Sequence, residues 1–141
     1  MESQGTRYGY AVRIEPGEEI IATLAEFAAR AGVRAGEISG IGAGADFELG
    51  FFVPATREYV RRTFPGDYEI TSLMGNLSEL EGRSYPHCHV VIGGQDFAAW
   101  TGHLFRGVVT ITCEVQIVSD PGVIRRISRP DLGVNPISLG G

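Results

Sequence analysis

The chain has 141 residues, a length that suits one domain with its own core and leaves no room for two ordinary ones. Hydrophobic residues make up 43% and charged residues 21%, a globular balance that excludes the disordered and membrane classes, and no run approaches the roughly 20 apolar residues of a membrane span. All twelve basic residues are arginine against seventeen acids, for a net charge of -5, which argues against autonomous nucleic-acid binding through a broad basic face.

Met1-Glu2-Ser3-Gln4-Gly5 lacks the basic and apolar regions of a signal peptide, so a cytoplasmic location is expected. Arg7 to Ile14 alternates as a strand does, and Glu15-Pro16-Gly17 ends it. Between Glu18 and Ala31, Ile20, Ile21, Leu24, Phe27, Ala28 and Ala31 recur at three-to-four spacing, which predicts an amphipathic helix stopped by Gly32.

Short β-runs follow, over Gly36 to Ile41, Ala45 to Val53, Arg57 to Phe64 and Tyr68 to Leu80. Gly40, Gly42 and Gly44 mimic a phosphate-binding loop. The residues after them read as another strand rather than a helix, so bulges or close backbone approach explain them better than a nucleotide cofactor, and none is expected.

Two clear strands, Pro86 to Ile92 and Gly107 to Val118, are predicted on either side of a loop over Gly93 to Leu104. In the second, Val109, Ile111, Cys113, Val115 and Ile117 should share the core face, and Thr110, Thr112, Glu114 and Gln116 a polar one. Val123 to Arg129 reads as an edge strand before a turn-rich tail from about residue 130. Cys88 and Cys113 sit in apolar runs and read as buried thiols.

The chain has three histidines, within seventeen positions: His87-Cys88-His89, then His103. Residues two apart on a strand point to one face with Cα atoms roughly 6.5–7 Å apart, so both imidazoles reach one ion. Three neutral nitrogens leave a fourth position for water or ligand, the pattern of a catalytic rather than a structural zinc site. Read from the residues alone, a metal triad and ordinary surface or hydrogen-bonded histidines stay equally open. Glu114 is the best carboxylate for orienting a histidine or carrying a proton; an exposed residue, or a partner for Arg83 or Arg106, is the alternative. Asn76 and Arg83 are candidates for holding a polar ligand, against turn and surface roles.

Leu73-Met74-Gly75-Asn76-Leu77-Ser78, Gly82-Arg83, Pro86-His87-Cys88-His89-Val90-Val91-Ile92-Gly93, Gly102-His103-Leu104 and Gly107 to Val115 together resemble the stand-alone prokaryotic type of the plant and prokaryote conserved (PPC) domain family. The resemblance covers most of the chain and departs at Trp100-Thr101-Gly102, where many relatives have a glycine pair before the histidine. It implies an α+β fold, a mostly antiparallel, strongly curved sheet with one main helix over about residues 18–31, similar to acetolactate decarboxylase. It also implies a homotrimer and a divalent metal, zinc, held by His87, His89 and His103. Plant relatives bind DNA through a separate Arg-Gly-Arg-Pro hook. This chain has no such segment, so direct DNA binding is not expected.

Two functions follow. One is a trimeric metal protein offering an open position to a small oxygen-rich ligand, with metal-dependent lyase or hydrolase activity. The other is a non-catalytic assembly or regulatory module with indirect or weak DNA association.

Overall fold

A computed structural model describes residues 1–140. In chain order the elements are β1 (Glu2–Thr6), β2 (Gly9–Ile14), α1 (Ile20–Ala31), β3 (Gly36–Val53), β4 (Glu58–Leu80), β5 (Arg83–Gly93), β6 (Ala99–Ser119) and β7 (Arg125–Arg126). The sheet runs β1-β2-β6-β3-β4-β5, and β5 also pairs with β6, so β6, β3, β4 and β5 close on one another. Every pairing is antiparallel except the short parallel contact of β7 with β4. This is the α+β architecture expected from the sequence, with one helix among the described residues.

The helix begins at Ile20, the first residue of its apolar stripe and two residues after the expected start at Glu18, because Glu19 caps it, accepting from the backbone N–H groups of Ile21 (3.2 Å) and Ala22 (2.6 Å). The same carboxylate accepts the N–H of Gly107 at 3.2 Å, which ties the helix start to β6. Gly32 ends the helix in the left-handed region, φ 68°, where glycine avoids the Cβ clash. Ile20, Leu24, Phe27 and Ala28 are buried in one core with Ile14, Ile38, Phe47, Ile70, Leu73, Leu77, Val90 and Ile117. Full burial of each large apolar side chain contributes on the order of 1.5–3 kcal/mol before entropy is counted.

The sequence reading breaks the long strands too often. The first two predicted β-runs are one eighteen-residue strand, β3, and the next two are one twenty-three-residue strand, β4. The breaks fall where the chain bends rather than stops. Register shifts occur between Gly40 and Gly42 and between Ala45 and Phe47 on β3, and the second spans the expected break in β4, since Ala45 pairs with Asp67 and Phe47 with Phe64. Gly42 permits the close approach anticipated for the glycine run, since a Cβ there would overlap the Thr112 carbonyl and Cys113.

Three further corrections follow from pairing that local patterns do not encode. β1 forms a hairpin with β2, its five residues all exposed. The expected loop over Gly93 to Leu104 already enters β6 at Ala99, because Ala99 to His103 find partners on β5. The edge strand over Val123 to Arg129 shrinks to Arg125–Arg126, and the tail is instead held by bridges of Arg126 with Ile137 and Arg129 with Val134.

On β6, Val109, Cys113, Val115 and Ile117 are buried as expected, but Ile111 is 70% exposed. Three residues of β6, Thr110 to Thr112, oppose the single Ala43 of β3, and this bulge turns Ile111 outward. Both cysteines are free and buried, and burial pushes each thiol up to about 12.

Candidate metal centre

β5 continues as a regular strand through the His-x-His segment, so Cys88 and Val90 enter the core while His87 and His89 face outward together. β6 then brings His103 directly opposite His89 in the antiparallel ladder. Ring centroids stand 5.4 Å apart for His87–His89, 5.0 Å for His87–His103 and 5.5 Å for His89–His103. One ring nitrogen from each lies within 4.8 Å of the others.

The residues fit a metal. The Nδ1 atom of His103 is buried and has no hydrogen-bond partner among the described residues, a cost that an ion coordinated there would remove. Burial, with the nearby Arg126 cation and His89, lowers His87 to about 4; burial, with His87, His89, Arg61 and Arg126, does the same to His103. Both rings are therefore neutral at neutral pH, the form whose lone pair binds metal.

Aromatic side chains wall the triad. Phe105, two residues beyond His103 and on the same face, packs its ring 4.6 Å from the imidazole, and Tyr59 of β4 packs at 5.2 Å. Room for both rings comes from Gly50, which pairs with His103 and whose Cβ, if present, would overlap Phe105 and Tyr59. Burial raises the Tyr59 hydroxyl, and the Arg61 guanidinium stacks 3.7 Å from the Phe105 ring centroid.

Asn76 is brought to the site, opposite His87 in the β4–β5 ladder. Arg83 is not: it lies exposed at the β4–β5 turn, four residues or roughly 13 Å of strand from His87. Glu114 is also absent from the cluster. It pairs with Arg13 and Ile41, eleven residues along β6 from His103, a strand path of roughly 36 Å. A strand long enough to bend around the core carries its polar positions to different places.

The arginine that does reach the triad is Arg126, 9% exposed. Its Nε donates to Ser78 Oγ at 2.8 Å and its Nη1 to the Asn135 carbonyl at 2.8 Å. Its Nη2 donates to Asn76 Oδ1 at 2.7 Å and contacts His87 Nδ1 at 3.1 Å. Arg126, Tyr59 and Phe105 were not anticipated. The loop expected over Gly93 to Leu104 hid that Phe105 shares a strand face with His103, and nothing local marks Arg126, which arrives from the tail.

Other proteins share this architecture. A chain from Bacteroides thetaiotaomicron, named as a candidate DNA-binding protein, superposes with a TM-score of 0.93 at 33% identity over 97% of this chain and 96% of its own. A PPC protein from Pyrococcus horikoshii gives 0.86 at 28% identity over 94% and 92%. A protein from Archaeoglobus fulgidus described as metal-containing gives 0.87 at 29% over 98% and 97%. The first of these names leaves the expectation against direct DNA contact without support. No curated protein matches the chain significantly. The sequence profile of the Plants and Prokaryotes Conserved (PCC) domain matches residues 1–120, and with that extent of agreement the chain belongs to this family.

Proposed function

We propose that this protein is a homotrimer that holds a divalent metal, zinc in the first instance, on His87, His89 and His103, and offers an open position to a small oxygen-rich ligand. The observation that carries the reading is the convergence of one ring nitrogen from each of three histidines within 4.8 Å, at a cluster where the Nδ1 of His103 is buried without a partner among the described residues. The metal-containing relative from Archaeoglobus fulgidus supports it. Once bound, such a metal polarises a carbonyl or lowers the pKa of a coordinated water, the basis for lyase or hydrolase chemistry. The chain's own contribution is to orient the imidazoles, to exclude water with Tyr59 and Phe105, and to anchor His87 through Arg126. Self-association is supported by Ile41, Met74 and Ile111, exposed along adjoining grooves of the bulged strands.

Elemental analysis of protein purified without a metal-affinity tag tests the metal, beside a His87→Ala/His89→Ala variant. About one ion per chain, lost in a variant that stays folded, is expected. No ion after incubation with zinc overturns the reading. Sedimentation at several concentrations tests the trimer.

The second reading, an assembly or regulatory module that associates with DNA, is favoured by the name of the Bacteroides relative. A duplex-binding titration across a salt series decides it: retention that weakens steeply with salt supports it, and no retention at low salt removes it.

A further inference from the structure

The charges around the triad have one sign. Among the described residues, the histidines meet no aspartate or glutamate in their cluster. The charged neighbours that act on His87 and His103, apart from the other imidazoles, are Arg126 and Arg61. A metal-binding imidazole commonly leans on a carboxylate or carbonyl through its other ring nitrogen, which offsets the charge of the ion. Beside His87 Nδ1, at 3.1 Å, stands a guanidinium, which can only donate.

Accepting the metal site proposed above, a divalent ion next to Arg126 concentrates three positive charges in a partly buried spot where no aspartate or glutamate among the described residues joins the cluster to balance them. Arg126 is held on Ser78, Asn76, Asn135 and His87, so it cannot swing away at little cost, and one Nη1 N–H keeps no protein partner among the described residues. It also lies beyond residues 1–120, the stretch that matches the family profile.

We infer that Arg126, delivered by the C-terminal tail, makes this site select an anionic ligand, a small carboxylate, over neutral oxygen compounds of the same shape. A carboxylate at the open metal position would offset part of the positive charge that the ion and the guanidinium share, which a neutral ligand would not. Arg126 is thus a specificity-determining residue.

The test uses the full chain loaded with cobalt(II), whose visible spectrum reports its coordination, titrated with glycolate and with the neutral glycolamide. The parent binds glycolate more tightly, and that preference falls about tenfold in Arg126→Gln. Ser78→Ala loosens the same tail contact but keeps the cation, and leaves the preference within about twofold. Should the glutamine variant not fold, Arg126→Met, which keeps the packed stem without the charge, is read in its place. An unchanged preference in the charge-free variant, or its equal loss in Ser78→Ala, overturns the inference while the metal site stands. Failure of the parent to bind cobalt overturns the metal site as well.

Discussion

The two ends of β6 both turn side chains outward, into different surroundings. At His103 and Phe105 the outward side chains meet others: the imidazoles of β5, the ring of Tyr59 and, through His87, a buried guanidinium. At Glu114 and Gln116 the outward side chains are exposed beside a shallow groove. One strand thus carries a site at one end and an open surface at the other. A polar face read from alternation says which side of the sheet a residue occupies, and nothing about what waits there.

Substitutions at shared and separate supports sharpen this contrast. The largest effect is expected at Phe47, whose ring sits where Cβ atoms on Gly44 and Gly107 would be, and which belongs to the core under both ends. Phe47→Ala should cost about 3–5 kcal/mol by chemical denaturation. Next come two tight glycines. A Cβ on Gly75 would overlap the His87 carbonyl and Cys88, and one on Gly42 would overlap Thr112 and Cys113. Both alanine variants should lose about 2–3 kcal/mol, but only Gly75→Ala should also weaken metal binding, as read by competition with a chromophoric chelator. Equal metal affinity in the two would break the separation of the ends.

Acid should act on the histidine end. His87 and His103 are each lowered to about 4, so below about pH 6.5 the unfolded chain takes up protons that the folded chain refuses. The stability contributed by these two rings is complete above that pH and is lost as pH falls toward 4. In metal-free protein, the fall in Tm between pH 7 and pH 4.5 should be about 3–6 °C smaller in His103→Gln than in the parent. The smallest effect is expected at Glu114. Glu114→Gln should change stability by less than about 0.5 kcal/mol and leave metal affinity as it was.

Features with a short repeat along the chain can be read from its residues alone. The helix was legible from its apolar stripe and Gly32, and the outward pairing of His87 and His89 with Cys88 turned inward followed from strand alternation. Glycines at bends did not reveal that β3 and β4 continue through them, since a bulge and a turn draw on the same residues.

The composition of the site depends on how distant strands pair. His103 meets His89 because β6 pairs with β5, Ile111 leaves the core because of a bulge set by a neighbouring strand, and Glu114 is carried away along a strand that bends. Arg126 comes from thirty-nine residues beyond His87 through a tail whose parallel contact with β4 no local pattern announces. These facts depend on which strands pair and in what register. Pairing is settled by the burial of the whole core, so a residue's neighbours across the sheet are set by side chains far from it in the chain.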